Sequence, residues 1–190
     1  MERLTAFGRL LEQRPWLADE LVMIQVVVPS RESVEAYARL KVTIDRVVGQ
    51  INGQHGKAGR VPIRYIYGNL SPAELYAHYR AADVALVTPL RDGMNLVALE
   101  YVAACVDGAG ALVLSEFAGA AQHLTDAYLV KPYDVDGVVA ALARALDDPE
   151  VERRRRMCSL RAVVAGLDVH HWSERFLGRL GRTKSLDLAQ

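Results

Sequence analysis

Short apolar runs rich in β-branched residues alternate with longer amphipathic segments along the chain. The runs are continuous and do not alternate in polarity, which is typical of parallel strands buried on both faces. The intervening segments repeat their apolar positions with the period of a helix. The predicted strands are MIQVVVP (23–29), IRYIY (63–67), DVALVTP (83–89), ALVLS (111–115) and AYLVKP (127–132).

Most of the predicted helices have clear end signals. Apolar spacing over residues 4–11 predicts a first helix, which Pro15 ends. Residues 33–53 predict a long helix, with Gly53 suited to a left-handed end. The sequence Ser-Pro-Ala-Glu at 71–74 is a capping box that opens another helix. Further helices are predicted to begin near residues 95, 134, 150 and 171.

Strands and helices in this order predict an α/β fold, a doubly wound, Rossmann-like parallel sheet that forms one domain over residues 1–190. A chain of 190 residues is long enough to bury one substantial core. In such sheets ligands bind at the carboxyl ends of the strands. We therefore expect the binding site among the loops that follow the predicted strands.

The composition and charge of the chain favour some classes of protein over others. Charged residues make up 24% of the chain and their formal sum is zero, which gives no support for nucleic-acid binding. No apolar run approaches a membrane span, and no secretory leader is recognisable. Cys105 and Cys158 lack metal spacing and are expected to be packing residues. The expectation is a soluble, reduced, cytoplasmic protein without a metal or cofactor.

The segment TPLRDGMNLVALE (88–100) contains the most distinctive chemistry. Asn95 is placed to open a helix whose first N–H groups, those of Leu96, Val97 and Ala98, lack intrahelical partners and suit a diphosphate. Gly93 would allow the backbone to approach a ligand closely. Two carboxylates flank this anion site. They are Asp92, before the helix, and Glu100, a little over one turn inside it.

That arrangement suits a nucleotide-sugar, because each carboxylate can accept hydrogen bonds from vicinal hydroxyls on one side of the diphosphate. A structural interpretation is equally open from the residues alone. Asp92 and Asn95 are common helix-capping residues, and Glu100 could lie on a solvated face.

The same segment, RDGMNLVALEYVA, resembles the signature of the trehalose-6-phosphate synthase family, retaining glycosyltransferases with two Rossmann-like domains. Other motifs resemble that family in the same order along the chain. They are VVVPSR (26–31), GQINGQHG (49–56), VLSEFAGAA (113–121) and HHWSERF (170–176). The resemblance covers nearly the whole chain and implies the C-terminal, donor-binding part of the two-domain fold.

The resemblance also implies roles for individual residues. The residues expected to hold the donor glucose are Asp92, Gly93, Met94 and Asn95, with Asp92 as the candidate catalytic residue. Leu96 and Val97 match the positions whose backbone meets the diphosphate, and Ala98 and Leu99 complete the expected donor-binding segment. Glu100 matches the ribose-binding carboxylate, and Asn69 and Leu70 match the loop that lines the uracil. Arg31 matches the arginine that binds the acceptor phosphate, a role that its planar guanidinium suits.

Two positions depart from the family pattern. Leu99 stands where the motif usually has lysine, which removes a positive charge near the dianionic leaving group. His123 stands where an acidic residue is usual.

The implied reaction is transfer of glucose from UDP-glucose to glucose 6-phosphate with retention, in trehalose biosynthesis. These residues do not include the family's N-terminal acceptor domain, its arginine and lysine that bind the donor diphosphate, or the central first strand. We therefore expect the chain alone to be inactive and to need a separate N-terminal half or self-association. The alternatives are a free-standing, non-catalytic domain that binds a sugar nucleotide or a partner, and a related transferase with another acceptor.

Overall fold

The computed structural model describes residues 1–29 and 35–167, together with Ser173 and Leu177. All five predicted strands form within these residues. They are β1 (Met23–Val27), β2 (Ile63–Tyr67), β3 (Val84–Val87), β4 (Ala111–Ser115) and β5 (Tyr128–Val130).

Helices alternate with these strands, as the apolar spacing predicts. They are α1 (Glu2–Gln13), α2 (Glu35–His55), α3 (Pro72–Ala81), α4 (Leu96–Ala104), α5 (Val135–Asp147) and α6 (Glu150–Ala165), with short 3₁₀ helices at Pro15–Asp19 and Gly119–Gln122. The predicted capping box forms at the start of α3, where the Ser71 hydroxyl accepts from the Glu74 N–H and the Glu74 carboxylate accepts from the Ser71 N–H. The helix predicted near residue 171 lies outside the described residues.

The strands are parallel and form two ladders, one of β1 and β2 and one in the order β3-β4-β5. Within the described residues, β1 therefore bonds only to β2, and β3 bonds only to β4 among the strands. In a doubly wound fold the first strand lies at the centre of the sheet, so β1 and β3 are the strands expected to flank it. Both are only partly buried, and the Ile24 side chain in β1 is 44% exposed.

Two apolar cores form on opposite faces of β4, whose residues are all buried. Ala111 and Val113 belong to the first core, with α1, α2, α5 and Ile63 of β2. Leu112 and Leu114 belong to the second core, with α4 and α6. Successive residues of a strand point to opposite faces, so a continuous apolar run fills both cores at once.

Two local predictions are wrong. Helix α2 does not end at Gly53 but continues to His55 without a left-handed residue at its end. Cys158 is exposed, because α6 directs Met157 and Leu160 into the second core and turns Cys158 outward. Cys105 is buried in that core as predicted, and burial raises the pKa of its thiol. None of the helices in the described part of the chain is long and apolar enough to cross a membrane.

Candidate functional site

Asn95 sets the start of α4, after the loop that follows β3. Its side-chain oxygen accepts a hydrogen bond from the Ala98 N–H at 2.9 Å, so it is the N-cap that the sequence predicts. Its backbone φ is +74°, and Asn95 is the one residue other than glycine with a positive φ in the described part of the chain. Asparagine tolerates this left-handed conformation better than most residues. Its side chain is also buried, at 8% exposure.

Asp92 is bound within the same loop. One carboxylate oxygen accepts from the Met94 N–H at 3.1 Å, and the other accepts from the Asn95 side-chain amide at 2.9 Å. Asp92 thereby fixes the side chain that caps α4. Each oxygen of an ionised carboxylate can accept more than one hydrogen bond, so both retain capacity for a ligand hydroxyl. The capping interpretation and the ligand interpretation of Asp92 are therefore compatible.

The first turn of α4 presents free donors to the surface. Within the described residues, the N–H groups of Leu96 and Val97 have no hydrogen-bond partner, whereas that of Ala98 bonds to Asn95. The helix dipole adds positive potential at this end. The position that a Cβ on Gly93 would take is open space. The protein itself therefore does not require glycine there for room.

The loop after β4 holds the Asp92–Met94 backbone in place. Three backbone hydrogen bonds join the two loops, from Asp92 to Phe117, from Gly119 to Asp92 and from Ala120 to Met94, at 2.8–3.2 Å. A Cβ on Gly119 would lie 2.0 Å from the Gly93 carbonyl oxygen. Only glycine allows the two backbones to approach this closely.

An open cavity of about 620 Å³ lies between these two loops. Asp92 and Gly93 line one side, and the aromatic rings of Phe117 and Tyr133, with centroids 6.3 Å apart, line the other. Further polar lining comes from Arg91, Glu116 and Gln122. Aromatic surface combined with a few hydrogen-bonding groups suits a small polar organic ligand.

Glu100 lies on α4, where it contacts α3. The Tyr79 hydroxyl donates a hydrogen bond to one oxygen of the Glu100 carboxylate at 3.1 Å. Burial first, and then the adjacent negative charge of Glu100, raise the pKa of Tyr79 to about 12. Tyr79 therefore remains a protonated donor at neutral pH.

The other predicted residues of α4 divide by the face on which they lie. Ala98 is fully buried, and Leu99 packs against the second core. Leu96 and Val97 are exposed by 60% and 46%, and Met94, in the loop before the helix, is also exposed. The structure thus gives Leu99 a packing position, while the surface at the helix start is apolar around its free N–H groups.

Asn69 and Leu70, the residues expected at the uracil, form no hydrogen bond to this cluster among the described residues. Asn69 and Leu70 follow β2 and precede α3, which packs against α4. Arg31 lies outside the described residues.

Sequence reasoning missed two residues that shape this site. Gly119 lies in the motif VLSEFAGAA, and a glycine just after a buried strand is a signal of close backbone approach. Tyr79 gave no signal beyond its helical spacing from Tyr76, because its partner is distant in sequence. His123 is exposed beyond the end of the Gly119–Gln122 helix. No group of three histidine, cysteine or carboxylate side chains able to hold a metal occurs among the described residues.

Comparisons of the chain with known proteins agree on one family. The sequence pattern of glycosyltransferase family 20 matches residues 1–182. The chain is 49% identical to the trehalose-6-phosphate synthase of Mycobacterium leprae over 185 residues, which are 97% of this chain and 37% of that protein. It is also 49% identical to the trehalose-6-phosphate synthase of Mycobacterium tuberculosis over 178 residues, or 94% of this chain and 36% of that protein. The chain thus spans a little over a third of these relatives.

Solved structures agree with this result. A structure from E. coli, named for trehalose-6-phosphate and bound with UDP-2-fluoro glucose, superposes with a TM-score of 0.90 at 43% identity. The match covers 94% of this chain and 40% of that one. An α,α-trehalose-phosphate synthase (UDP-forming) from Burkholderia xenovorans, in complex with glucose-6-phosphate, also gives a TM-score of 0.90, at 41% identity. That match covers 95% of this chain and 40% of the other.

Proposed function

This chain belongs to glycosyltransferase family 20, and we propose that residues 1–190 form a single domain that binds the donor of an α,α-trehalose-phosphate synthase reaction. The donor is UDP-glucose, the acceptor is glucose 6-phosphate, and glucose is transferred with retention. The chain spans 37% of the Mycobacterium leprae relative, and the proposal for these residues is confined to donor binding.

The observation that supports this proposal most is the pair of free N–H groups at the start of α4. Leu96 and Val97 present unpartnered donors at the positive end of a helix, in a backbone that Asp92, Asn95 and the Gly119 loop hold in place. Such a helix start is suited to a diphosphate. Carboxylates stand on both sides of it, Asp92 before the helix and Glu100 within it.

The chemistry that this geometry can supply is binding and charge stabilisation. As the bond between glucose and the diphosphate breaks, negative charge grows on the departing phosphate oxygens. Fixed N–H groups of Leu96 and Val97 would stabilise that charge without first having to reorganise. Asp92 would accept hydrogen bonds from the glucose hydroxyls and hold the ring in one orientation. Glu100 would accept hydrogen bonds from the ribose.

Direct binding is the experiment that tests the proposal. Isothermal titration of the purified chain with UDP-glucose should give saturable binding that Asp92→Ala and Glu100→Ala each weaken by roughly tenfold to a hundredfold, the effect of losing hydrogen bonds to a charged acceptor. Because Asp92 also bonds to Asn95, the melting temperature of each variant must be measured alongside.

Glu20→Ala is the matched control for these titrations. Glu20 is an exposed carboxylate that precedes β1, outside the loops after β3 and β4. We expect it to retain the full affinity for UDP-glucose. Equal UDP-glucose affinity in the wild type and in both site variants would exclude the proposed site.

A further inference from the structure

Tyr79 lies behind the Glu100 carboxylate, where α3 crosses α4. Its hydroxyl donates to one oxygen of that carboxylate at 3.1 Å. No other hydrogen bond or ion pair to Glu100 is found in the described part of the chain. The second carboxylate oxygen therefore remains available on a side chain that is only half-buried.

Two neighbouring tyrosines fix the ring of Tyr79. The Tyr101 ring, which is fully buried, lies 6.3 Å away at an interplanar angle of 80°. The Tyr76 ring lies 6.3 Å away on another side at 65°. Edge-to-face contacts of this kind stabilise one orientation of an aromatic ring. The hydroxyl of Tyr79 is consequently directed at Glu100 before any ligand binds.

We propose that Tyr79 is a positioning residue for nucleotide binding, whose hydroxyl holds one oxygen of Glu100 and leaves the other to accept a ribose hydroxyl. The inference rests on the proposed function, because it takes Glu100 to be the ribose-binding carboxylate. A glutamate has three rotatable side-chain bonds, and ordering it during binding costs conformational entropy. A donor that already holds the carboxylate reduces that cost, so Tyr79 increases affinity without contacting the nucleotide.

A purely structural role would make a different prediction. The Tyr79–Glu100 hydrogen bond also joins α3 to α4, so its loss could simply destabilise the packing of the two helices. That loss would weaken binding of every nucleotide equally. A positioning role through Glu100 acts at the ribose, so it must depend on the hydroxyl that the carboxylate accepts.

The test compares UDP with 2′-deoxy-UDP by titration calorimetry on the full chain. Tyr79→Phe removes the hydroxyl and keeps the ring, and Tyr128→Phe makes the same change at a tyrosine of β5 whose hydroxyl donates to Asp148. The wild type should bind UDP more tightly than 2′-deoxy-UDP. Tyr79→Phe should weaken UDP binding by roughly threefold to tenfold and 2′-deoxy-UDP binding by less, as expected for one net hydrogen bond. Tyr128→Phe should leave the ratio of the two affinities unchanged.

The double variant completes the cycle. In a Glu100→Ala background, Tyr79→Phe should have no further effect on UDP affinity, because the side chain it positions is gone. An unchanged ratio of UDP to 2′-deoxy-UDP affinity in Tyr79→Phe would overturn the inference while leaving the proposed function intact. Additive effects of the two substitutions would overturn it as well. A wild type that does not bind UDP, or does not distinguish it from 2′-deoxy-UDP, would remove the proposed role of Glu100 and this inference with it.

Discussion

Asn95 has three structural roles. Its backbone adopts a left-handed conformation, its side-chain oxygen accepts from the Ala98 N–H at the start of α4, and its side-chain amide donates to Asp92. A left-handed conformation costs an ordinary residue about 1–2 kcal/mol. Asparagine tolerates that conformation and adds the hydrogen bonds that make it stable, so no other residue type would replace all three functions.

Substitutions at Asn95 should separate these tasks. Asn95→Gly keeps the backbone freedom and loses the hydrogen bonds to Ala98 and to Asp92, so we expect the free energy of unfolding to fall by about 1 kcal/mol. Asn95→Ala also incurs the left-handed backbone cost, and its loss should be larger by about 1 kcal/mol. Urea unfolding of the three proteins measures the order. Equal stability of the glycine and alanine variants would show that the backbone conformation contributes nothing.

The sequence predicts part of this arrangement. An asparagine before an apolar helical run is a capping signal, so the cap itself follows from local chemistry. The positive φ and the bond to Asp92 do not, because they depend on how the loop is held by residues 117–120, far along the chain. Leu99 is another such case, since its packing against the second core depends on the fold around it.

At the scale of elements, the loop after β3 depends on the loop after β4. The first loop is irregular and the second contains only the short Gly119–Gln122 helix, yet three backbone hydrogen bonds join the two loops. The free helix-start N–H groups and Asp92 are thereby placed on the rigid second core. Preorganisation of this kind lowers the cost of binding.

Gly119→Ala and Gly93→Ala form a pair that tests this dependence. At Gly119 the added methyl group would overlap the Gly93 carbonyl, so the loops must separate, and we expect a loss of about 2–3 kcal/mol in unfolding free energy together with weaker UDP-glucose binding. At Gly93 the methyl group enters open space, so stability should stay within about 0.5 kcal/mol of the wild type.

Titration with UDP-glucose should distinguish the effects of Gly93→Ala and Gly119→Ala further. If the sugar approaches the Gly93 backbone, Gly93→Ala should lose affinity without losing stability. Wild-type stability in Gly119→Ala would contradict the close approach of the two loops.

The apolar, β-branched runs predict all five strands, because this is the composition of interior strands in a parallel sheet, although only β4 is buried at every position. The hydrogen bonds between the loops after β3 and β4 cannot be predicted from composition, since they use backbone groups that nearly every residue has. Only the glycine in the β4 loop gives a local hint.

At the scale of the whole molecule, the sheet is divided. β1 and β3 each bond to one other strand within the described residues, although both have the apolar composition of interior strands. Unpaired strand edges favour pairing with another chain. The order of the strands and their apolar composition predict that β1 and β3 are the strands with an open edge. Which chain would pair with them depends on the surface of that other chain.

We expect the purified chain to self-associate, or to need the remaining part of a synthase for stability. Size exclusion with light scattering should report a species larger than a monomer. With UDP-glucose and glucose 6-phosphate, the chain alone should release no more UDP than a buffer control, and co-expression with the complementary part of a family member should give a complex that does. A cooperatively melting monomer would contradict the first expectation. Halves that fail to co-purify, or a complex without UDP release, would favour a free-standing binding domain.

Because β4 lies between the two cores, its position also determines the order in which backbone amides should exchange with solvent deuterium. Ala111–Ser115 is buried at each position and bonded to strands on both sides, so its amides can exchange only when both cores separate. β1 and β2 are attached through the first core alone, so an opening that frees them leaves the second core folded. Amides of residues 23–27 and 63–67 should therefore exchange early, and those of 111–115 last. Such an order would divide the chain into a more stable part that contains β4 and α4 and a less stable part that contains β1 and β2.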